Sequence, residues 1–170
     1  LIDFAHKYNR EQLLYHLWEH YGVDSISGGW DYIEPVMFSY ACGEVIDTIY
    51  HLYGRPSNAR AVAQFHEWMC GAGILYLKKH APDIGTVFTT HATILGRAMS
   101  GSGVDIYSEM EHISPQKSAA SHNITAKFSM ETASAREADC FTTVSEITAI
   151  EAKNFLGRKP DVVLPNVEVP

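Results

Sequence analysis

A chain of 170 residues with 46% hydrophobic and 19% charged residues has the size and composition of one domain with a buried core. Its formal charge of −7 argues against a nucleic-acid surface, which needs clustered Lys and Arg. No apolar run is long enough to span a membrane, and no basic stretch followed by an apolar one marks a signal peptide.

The chain begins at Leu1, not Met, and closes on Pro170 directly after strand-like residues, so a piece of a longer protein is expected. Cys42, Cys70 and Cys140 are far apart and form no CxxC pair. They read as small buried hydrophobes in a reduced compartment. Asn123-Ile124-Thr125 matches a glycosylation sequon, a pattern that also arises by chance.

Leu13, Leu14, Leu17, Trp18 and Tyr21 recur at helical spacing over residues 9–21, and Gly22 ends that helix. Residues 24–34, with Gly28-Gly29, read as a loop. Pro35 is placed to open a second helix as its first residue, running from Val36 to Tyr53 and closed by Gly54. Ala61 to Phe65 is a short apolar strand with His66-Glu67-Trp68 at its carboxyl end. A helix follows, with Lys78, Lys79 and His80 in its last turn, where cations complement the dipole.

Ile84 to Thr90 is rich in β-branched and aromatic residues and predicts a buried strand. Residues 99–113 read as a surface excursion. Ser114-Pro115 predicts a helix start, with the helix running to about Ala138. Cys140 to Val144 is a third strand, Ser145 caps a helix ending near Phe155-Leu156, and Gly157 terminates it. Asp161 to Leu164 is a last strand, and Pro165-Asn166 a turn.

Strands alternating with helices predict an α/β fold, a Rossmann-like parallel sheet with helices on both faces. Residues 1–60 form a mainly helical lead-in and 61–166 the alternating core of one lobe. The strand ends at His66, His91, Ser145 and Asn166 then share one edge, where open parallel sheets bind ligands. His91, at the end of its strand, and Arg97, six residues on, suit a phosphorylated or sugar ligand. The alternative is a capping or core histidine and a solvated arginine. For His66-Glu67-Trp68 the choice lies between a sugar grip with a stacking indole and a helix start with a core tryptophan.

His16-Leu17-Trp18-Glu19-His20 matches the H-x-x-E-H pattern of inverted zinc peptidases, with both histidines on one helix face. Zinc needs a third protein ligand, and ordinary surface or interface histidines account for the pattern as well. GxGxxG, GxxxxGK[ST] and GxSxG are absent, which leaves a dinucleotide fingerprint, a P-loop and a serine-hydrolase elbow unsupported.

Four stretches carry a family resemblance. They are Phe65-His66-Glu67-Trp68, the run from Thr86 to Arg97, the run from Phe141 to Ala152, and Arg158-Lys159-Pro160-Asp161 followed by Pro165-Asn166. In this order and spacing the chain resembles glycogen synthases of the animal and fungal type (glycosyltransferase family 3) and their bacterial relatives.

The resemblance implies part of the N-terminal lobe of a two-lobed GT-B enzyme. That enzyme transfers glucose from UDP-glucose to the 4-hydroxyl at the non-reducing end of glycogen or another α-1,4-glucan. Configuration is retained, no metal or other cofactor takes part, and the setting is cytoplasmic. By resemblance, His91 is the catalytic residue touching the transferring glucose and Arg97 holds the UDP phosphates. Asn166 lies near the glucose, and His66 and Glu67 line the cleft. After Asn166 the family has glycine where this chain has Val167.

The second lobe and the early glycine-rich donor loop of the family are not in the chain, so this piece is expected to be inactive alone. Two alternatives stay open: a non-catalytic carbohydrate-binding or regulatory module derived from such a lobe, and another retaining GT-B glucosyltransferase using ADP-glucose. No nucleic-acid or membrane partner is implied, and homo-oligomer formation is left open.

Overall fold

A computed structural model describes residues 2–4 and 6–165, without the side chain of Glu111. Helix α1 spans Arg10–Tyr21, with the Asn9 side chain accepting from Gln12 N at 3.1 Å as its cap. It ends at Gly22, whose φ of 68° is a left-handed conformation that glycine adopts at no steric cost.

Helix α2 spans Trp30–Ile49 and starts a turn earlier than the proline signal predicts. Pro35 therefore sits inside the helix and leaves the Asp31 carbonyl without its usual donor. Tertiary contacts hold that first turn in place. Tyr32 is buried and stacked on Trp68 with centroids 5.8 Å apart, its hydroxyl lies 2.9 Å from Ser25 Oγ, and Gly29 O accepts from the amides of Tyr32 and Ile33. Beyond Ile49 the helix relaxes into a π-turn, Tyr50–Gly54, where Arg55 N donates to Tyr50 O.

Strand β1, Val62–His66, leads through the 3₁₀ turn Trp68–Cys70 into α3, Gly71–His80. Helices α2 and α3 cross closely because both lack side chains at the contact. A Cβ at Gly43 would sit 2.9 Å from Gly73 O, and one at Gly73 would sit 2.9 Å from Ser39 O. Ser39, buried on α2, donates to Cys70 O at 2.5 Å and accepts from Gly73 N at 2.8 Å, which satisfies the start of α3 in the absence of a cap of its own.

Strand β2 is Gly85–Thr90 and helix α4 is Ile94–Gly101. The segment expected to run over the surface instead contains α5, Ile106–Glu109, and a 3₁₀ turn, Met110–His112. Ile106 and Met110 bury themselves in the sheet-side core, and that burial ties the segment down.

The helix expected from Pro115 to Ala138 is two helices, α6 (Pro115–Ser121) and α7 (Thr125–Glu137). Asn123, at φ 56°, lets its own amide bond Ala120 O and the Ile124 amide bond Ala119 O. This is a Schellman end, which apolar periodicity does not reveal. The sequon asparagine is thus an exposed helix terminator.

Strand β3 (Cys140–Thr143), helix α8 (Glu146–Phe155) and strand β4 (Val162–Val163) complete the fold. The sheet order is β1-β2-β3-β4, every pair parallel, flanked by helices.

Register places Phe65 beside Phe88 and Phe88 beside Phe141, and the last two rings stack at 5.6 Å. This row, with Ile74, Leu77, Leu95, Phe128 and Phe155, forms the sheet-side core. A second core joins α1, α2, α3 and α7 through Leu17, Val36, Tyr32, Trp68, Leu75 and Met130. On β1 the alternation exposes Val62, Gln64 and His66.

Three charged groups near the amino ends of the strands fix their alignment. Asp139 accepts from Thr86 N at 2.8 Å and from Lys78 at 2.6 Å. Asp161 accepts from Phe141 N at 2.7 Å, and Arg158 donates to the carbonyls of Ala135 and Ala138, both at 2.7 Å, at the end of α7. Arg158 and Asp161, two residues of one of the family-like stretches, are therefore structural.

Candidate functional site

The parallel register brings the carboxyl ends of β1, β2 and β3 to one edge. His66 is the last residue of β1, and its Nδ1 lies 3.0 Å from Nε2 of His91, just past β2. One ring donates and the other accepts, and the outer nitrogens, His66 Nε2 and His91 Nδ1, remain as hydrogen-bonding groups at an exposed edge.

Glu67 binds the two strand ends together. Its amide continues the ladder by donating to Thr89 O at 2.9 Å. Its backbone then turns sharply, at φ 62° and ψ 165°, a region almost confined to glycine. The buried Trp68, stacked on Tyr32, anchors the turn from the other side. The strained geometry aims the Glu67 carboxylate across the edge, where Oε1 accepts from His91 N at 3.0 Å and from Arg97 Nη2 at 3.4 Å.

Arg97 stands on the first turns of α4. Its Nε also donates to Ala92 O at 3.4 Å, and its side chain is 55% exposed. Both contacts are long, so most of the guanidinium fork faces solvent beside the histidine pair. A planar cation with several N–H donors is suited to bidentate contact with phosphate or carboxylate.

His66, Glu67, His91 and Arg97 therefore converge. Ser145 reaches the same edge, but its Oγ is engaged as the cap of α8, accepting from Thr148 N at 3.1 Å. Asn166 lies outside the described residues.

His16 and His20 are elsewhere, on α1, with ring centroids 4.2 Å apart. Lys79 Nζ lies 3.1 Å from His16 Nε2, so an ammonium stands where a cation would bind. Burial, and then Lys79, hold the His16 ring below its ordinary pKa. Among the described residues no group of three or more His, Cys, Asp and Glu could hold a metal ion. The three cysteines are unpaired and partly buried.

The edge is an open shelf. Clefts of about 400 Å³ and 340 Å³ occur on the described surface, but the first is lined by residues such as Tyr8, Arg10 and Trp30 and the second by Tyr21, Gln116 and Arg136.

Beneath the shelf lie two carboxyl groups that sequence reading passed over, Glu131 on α7 and Glu151 on α8, at 0% and 6% exposure. Glu131 Oε1 pairs with Thr90 Oγ1 and Oε2 with Ile94 N, both at 2.9 Å. Glu151 Oε2 accepts from Thr93 Oγ1 at 2.9 Å and Oε1 from Tyr107 OH at 2.7 Å. Burial pushes the Glu131 carboxyl up to about 8, against the pull of the bond it accepts from Ile94 N.

A signal for both was present in the sequence. Glu131 lies between Phe128 and Ala135, and Glu151 between Thr148 and Phe155, each a lone acid on a buried helix face. Gly96 belongs to the same arrangement. A Cβ there would press on Glu151 Oε2 and stand 2.7 Å from Thr93 Oγ1.

A parallel α/β sheet with its polar groups gathered at the strand carboxyl ends defines a Rossmann-like lobe, and that edge is where open sheets of this class bind ligands. The family model described as glycogen synthase matches residues 2–169. The chain is 38% identical to the glycogen [starch] synthase isoform 2 of Saccharomyces cerevisiae over 151 residues, 88% of this chain and 21% of that protein. It is 49% identical to the liver glycogen [starch] synthase of Mus musculus over 105 residues, 62% of this chain and 15% of that one. It is 44% identical to the glycogen [starch] synthase of Dictyostelium discoideum over 109 residues, 64% and 12% of the two chains. The chain belongs to the glycogen synthase family. It spans about a fifth or less of the length of these curated relatives.

Proposed function

We propose that the chain is part of the N-terminal lobe of a two-lobed GT-B glycogen synthase, a glycosyltransferase that moves glucose from UDP-glucose to the non-reducing end of an α-1,4-glucan with retention of configuration. One observation carries the reading: the His66–His91 pair and Arg97 meet around the Glu67 carboxylate at the strand-end edge.

In the reaction the bond between glucose C1 and the β-phosphate oxygen breaks, and a bond from C1 to the acceptor 4-oxygen forms. The departing UDP takes on negative charge as the first bond breaks, and its β-phosphate oxygen receives the proton that the acceptor hydroxyl gives up. Arg97, a fixed cation on α4, stabilises that charge as it develops. His91 and His66 offer outer ring nitrogens to sugar hydroxyls, and Glu67 holds the backbone of His91 and the guanidinium in mutual register. The family resemblance assigns Asn166 to the glucose as well. No metal or cofactor takes part, and the enzyme is cytoplasmic.

This chain contributes one side of the cleft; the remainder of the polypeptide contributes the other and most nucleotide contacts. The isolated 170-residue chain is accordingly expected to be inactive. The test is glucosyl incorporation into glycogen by the full-length protein, with UDP-glucose and ADP-glucose in competition. Preferential use of UDP-glucose is expected. Failure to transfer from either donor would overturn the proposal, as would transfer by the isolated chain for the shared-cleft element of it.

A further inference from the structure

A carboxyl group sealed from water is costly unless its partners are well placed, and apolar side chains of the same volume often serve stability as well or better. Glu131 therefore calls for a reason beyond packing. Its two oxygens reach Thr90 Oγ1, immediately before His91, and Ile94 N, where α4 begins, each at 2.9 Å. One side chain thus clamps both ends of the three-residue link His91-Ala92-Thr93.

Glu151 holds the same link from below through Thr93 Oγ1, which in turn caps α4 by accepting from Gly96 N at 3.0 Å. Thr148 Oγ1 donates to His91 O at 3.4 Å, and the His91 amide is spent on Glu67. We propose that Glu131 is a positioning residue: it sets the link so that the His91 ring meets His66 and the first turns of α4 carry Arg97 back over Glu67.

The bonding pattern accommodates a neutral carboxyl. Thr90 Oγ1 lies 2.9 Å from Glu131 Oε1 and 3.3 Å from Ala92 O. With a neutral carboxyl, Oε1 carries the proton and donates to Thr90, the threonine hydroxyl turns to Ala92 O, and Oε2 accepts from Ile94 N. Every group on this path is satisfied. Burial, which pushes the Glu131 carboxyl up to about 8, favours the same form at neutral pH. Glutamine reproduces both bonds with its amide. Methionine fills the space and makes neither.

That contrast supplies the test, in the full-length protein, by hydrogen–deuterium exchange of peptides covering residues 90–97, β1 and β3. Glu131→Gln is expected to exchange as wild type. Glu131→Met is expected to raise exchange over 90–97 by about tenfold or more, while β1 and β3 stay protected. Wild-type exchange over 90–97 in Glu131→Met, or equally fast exchange in Glu131→Gln, would sink the proposal.

In its consequence for catalysis the proposal rests on the reading under Proposed function. There Glu131→Met should lower kcat by about tenfold or more with the glycogen KM unchanged, and Glu131→Gln should restore it. Loss of kcat in both variants alike overturns positioning by these bonds. A wild-type protein that transfers from neither sugar nucleotide refutes the functional reading alone, and the exchange comparison still decides the clamp.

Discussion

Glu67 shows how much a single residue is made to bear at this edge. It occupies a backbone conformation at φ 62° that costs a non-glycine residue on the order of 1–3 kcal/mol, and its carboxylate is what that cost sustains. Glu67→Ala keeps the strain and loses the carboxylate. Glu67→Gly loses both, against a glycine entropy cost of roughly 0.5–1 kcal/mol. The glycine variant should therefore be the more stable of the two by about 1 kcal/mol, read from urea midpoints. An alanine variant of equal or greater stability would mean that no strain resides there.

Arg97, by contrast, is only loosely held, with both its contacts at 3.4 Å, which under the proposed function leaves its guanidinium free for a phosphate. In the full-length protein, Arg97→Ala should lower kcat/KM for UDP-glucose by the equivalent of roughly 2–4 kcal/mol. An unchanged kcat/KM removes the phosphate role.

At the scale of elements, α4 is placed by what lies under it. At Gly96 helix α4 passes directly over the Glu151 carboxylate, and Thr93, Gly96 and Glu151 interlock within a few ångströms. Gly96→Ala should destabilise the fold by about 1–3 kcal/mol through overpacking. Because the clash is with Glu151, the double variant with Glu151→Ala should be more stable than the sum of the single effects predicts, and a double-mutant cycle of urea midpoints measures it. Strict additivity would mean the helix relieves the contact by moving.

The junction of α6 and α7 makes a complementary point about elements. Helical composition runs through residues 115–138, yet an exposed asparagine in a left-handed conformation divides it. Likewise α2 begins ahead of Pro35 because burying Tyr32 against Trp68 outweighs one missing backbone bond.

For the molecule as a whole, the buried Glu131 couples stability to pH. Its carboxyl is neutral in the fold, with its pKa raised from 4.5 to about 8, and ionises more readily once the chain unfolds. The folded state therefore holds more protons than the unfolded one between these values. The stabilisation is full below about pH 4.5 and is lost as pH rises towards and through 8. Groups with depressed values act in the opposite sense at the acid end, among them Asp31, held down by its bond from Lys127, and Asp83, by its bond from Arg55. Urea midpoints measured from pH 5 to 9 should fall with pH in the wild type relative to those of Glu131→Gln, since a depressed histidine such as His16 contributes in the opposite sense to both proteins alike. Parallel profiles would show that Glu131 does not titrate across this range.

The order of strands and helices was legible from local chemistry. β-Branched and aromatic runs such as Thr86–Thr90 and Phe141–Thr143 form strands, and alternation with helices leaves a parallel sheet as the economical arrangement. His66, His91 and Arg97 were legible too, because in such a sheet the end of each strand is a predictable place. Their spacing along the chain already put them on one edge.

What local chemistry leaves open depends on residues far apart in sequence. The place of Glu131 and Glu151 on their helix faces is visible in the sequence, but their partners and their removal from water are decided only when α7 and α8 fold against the β2–α4 link. The positive φ of Glu67 exists because Thr89 and Trp68 pull its two sides in different directions. Strand and helix follow from side-chain shape and period, which each residue carries with it. Desolvation, strain and the meeting of His66 with His91 are properties of a packed neighbourhood, and only the tertiary fold creates one.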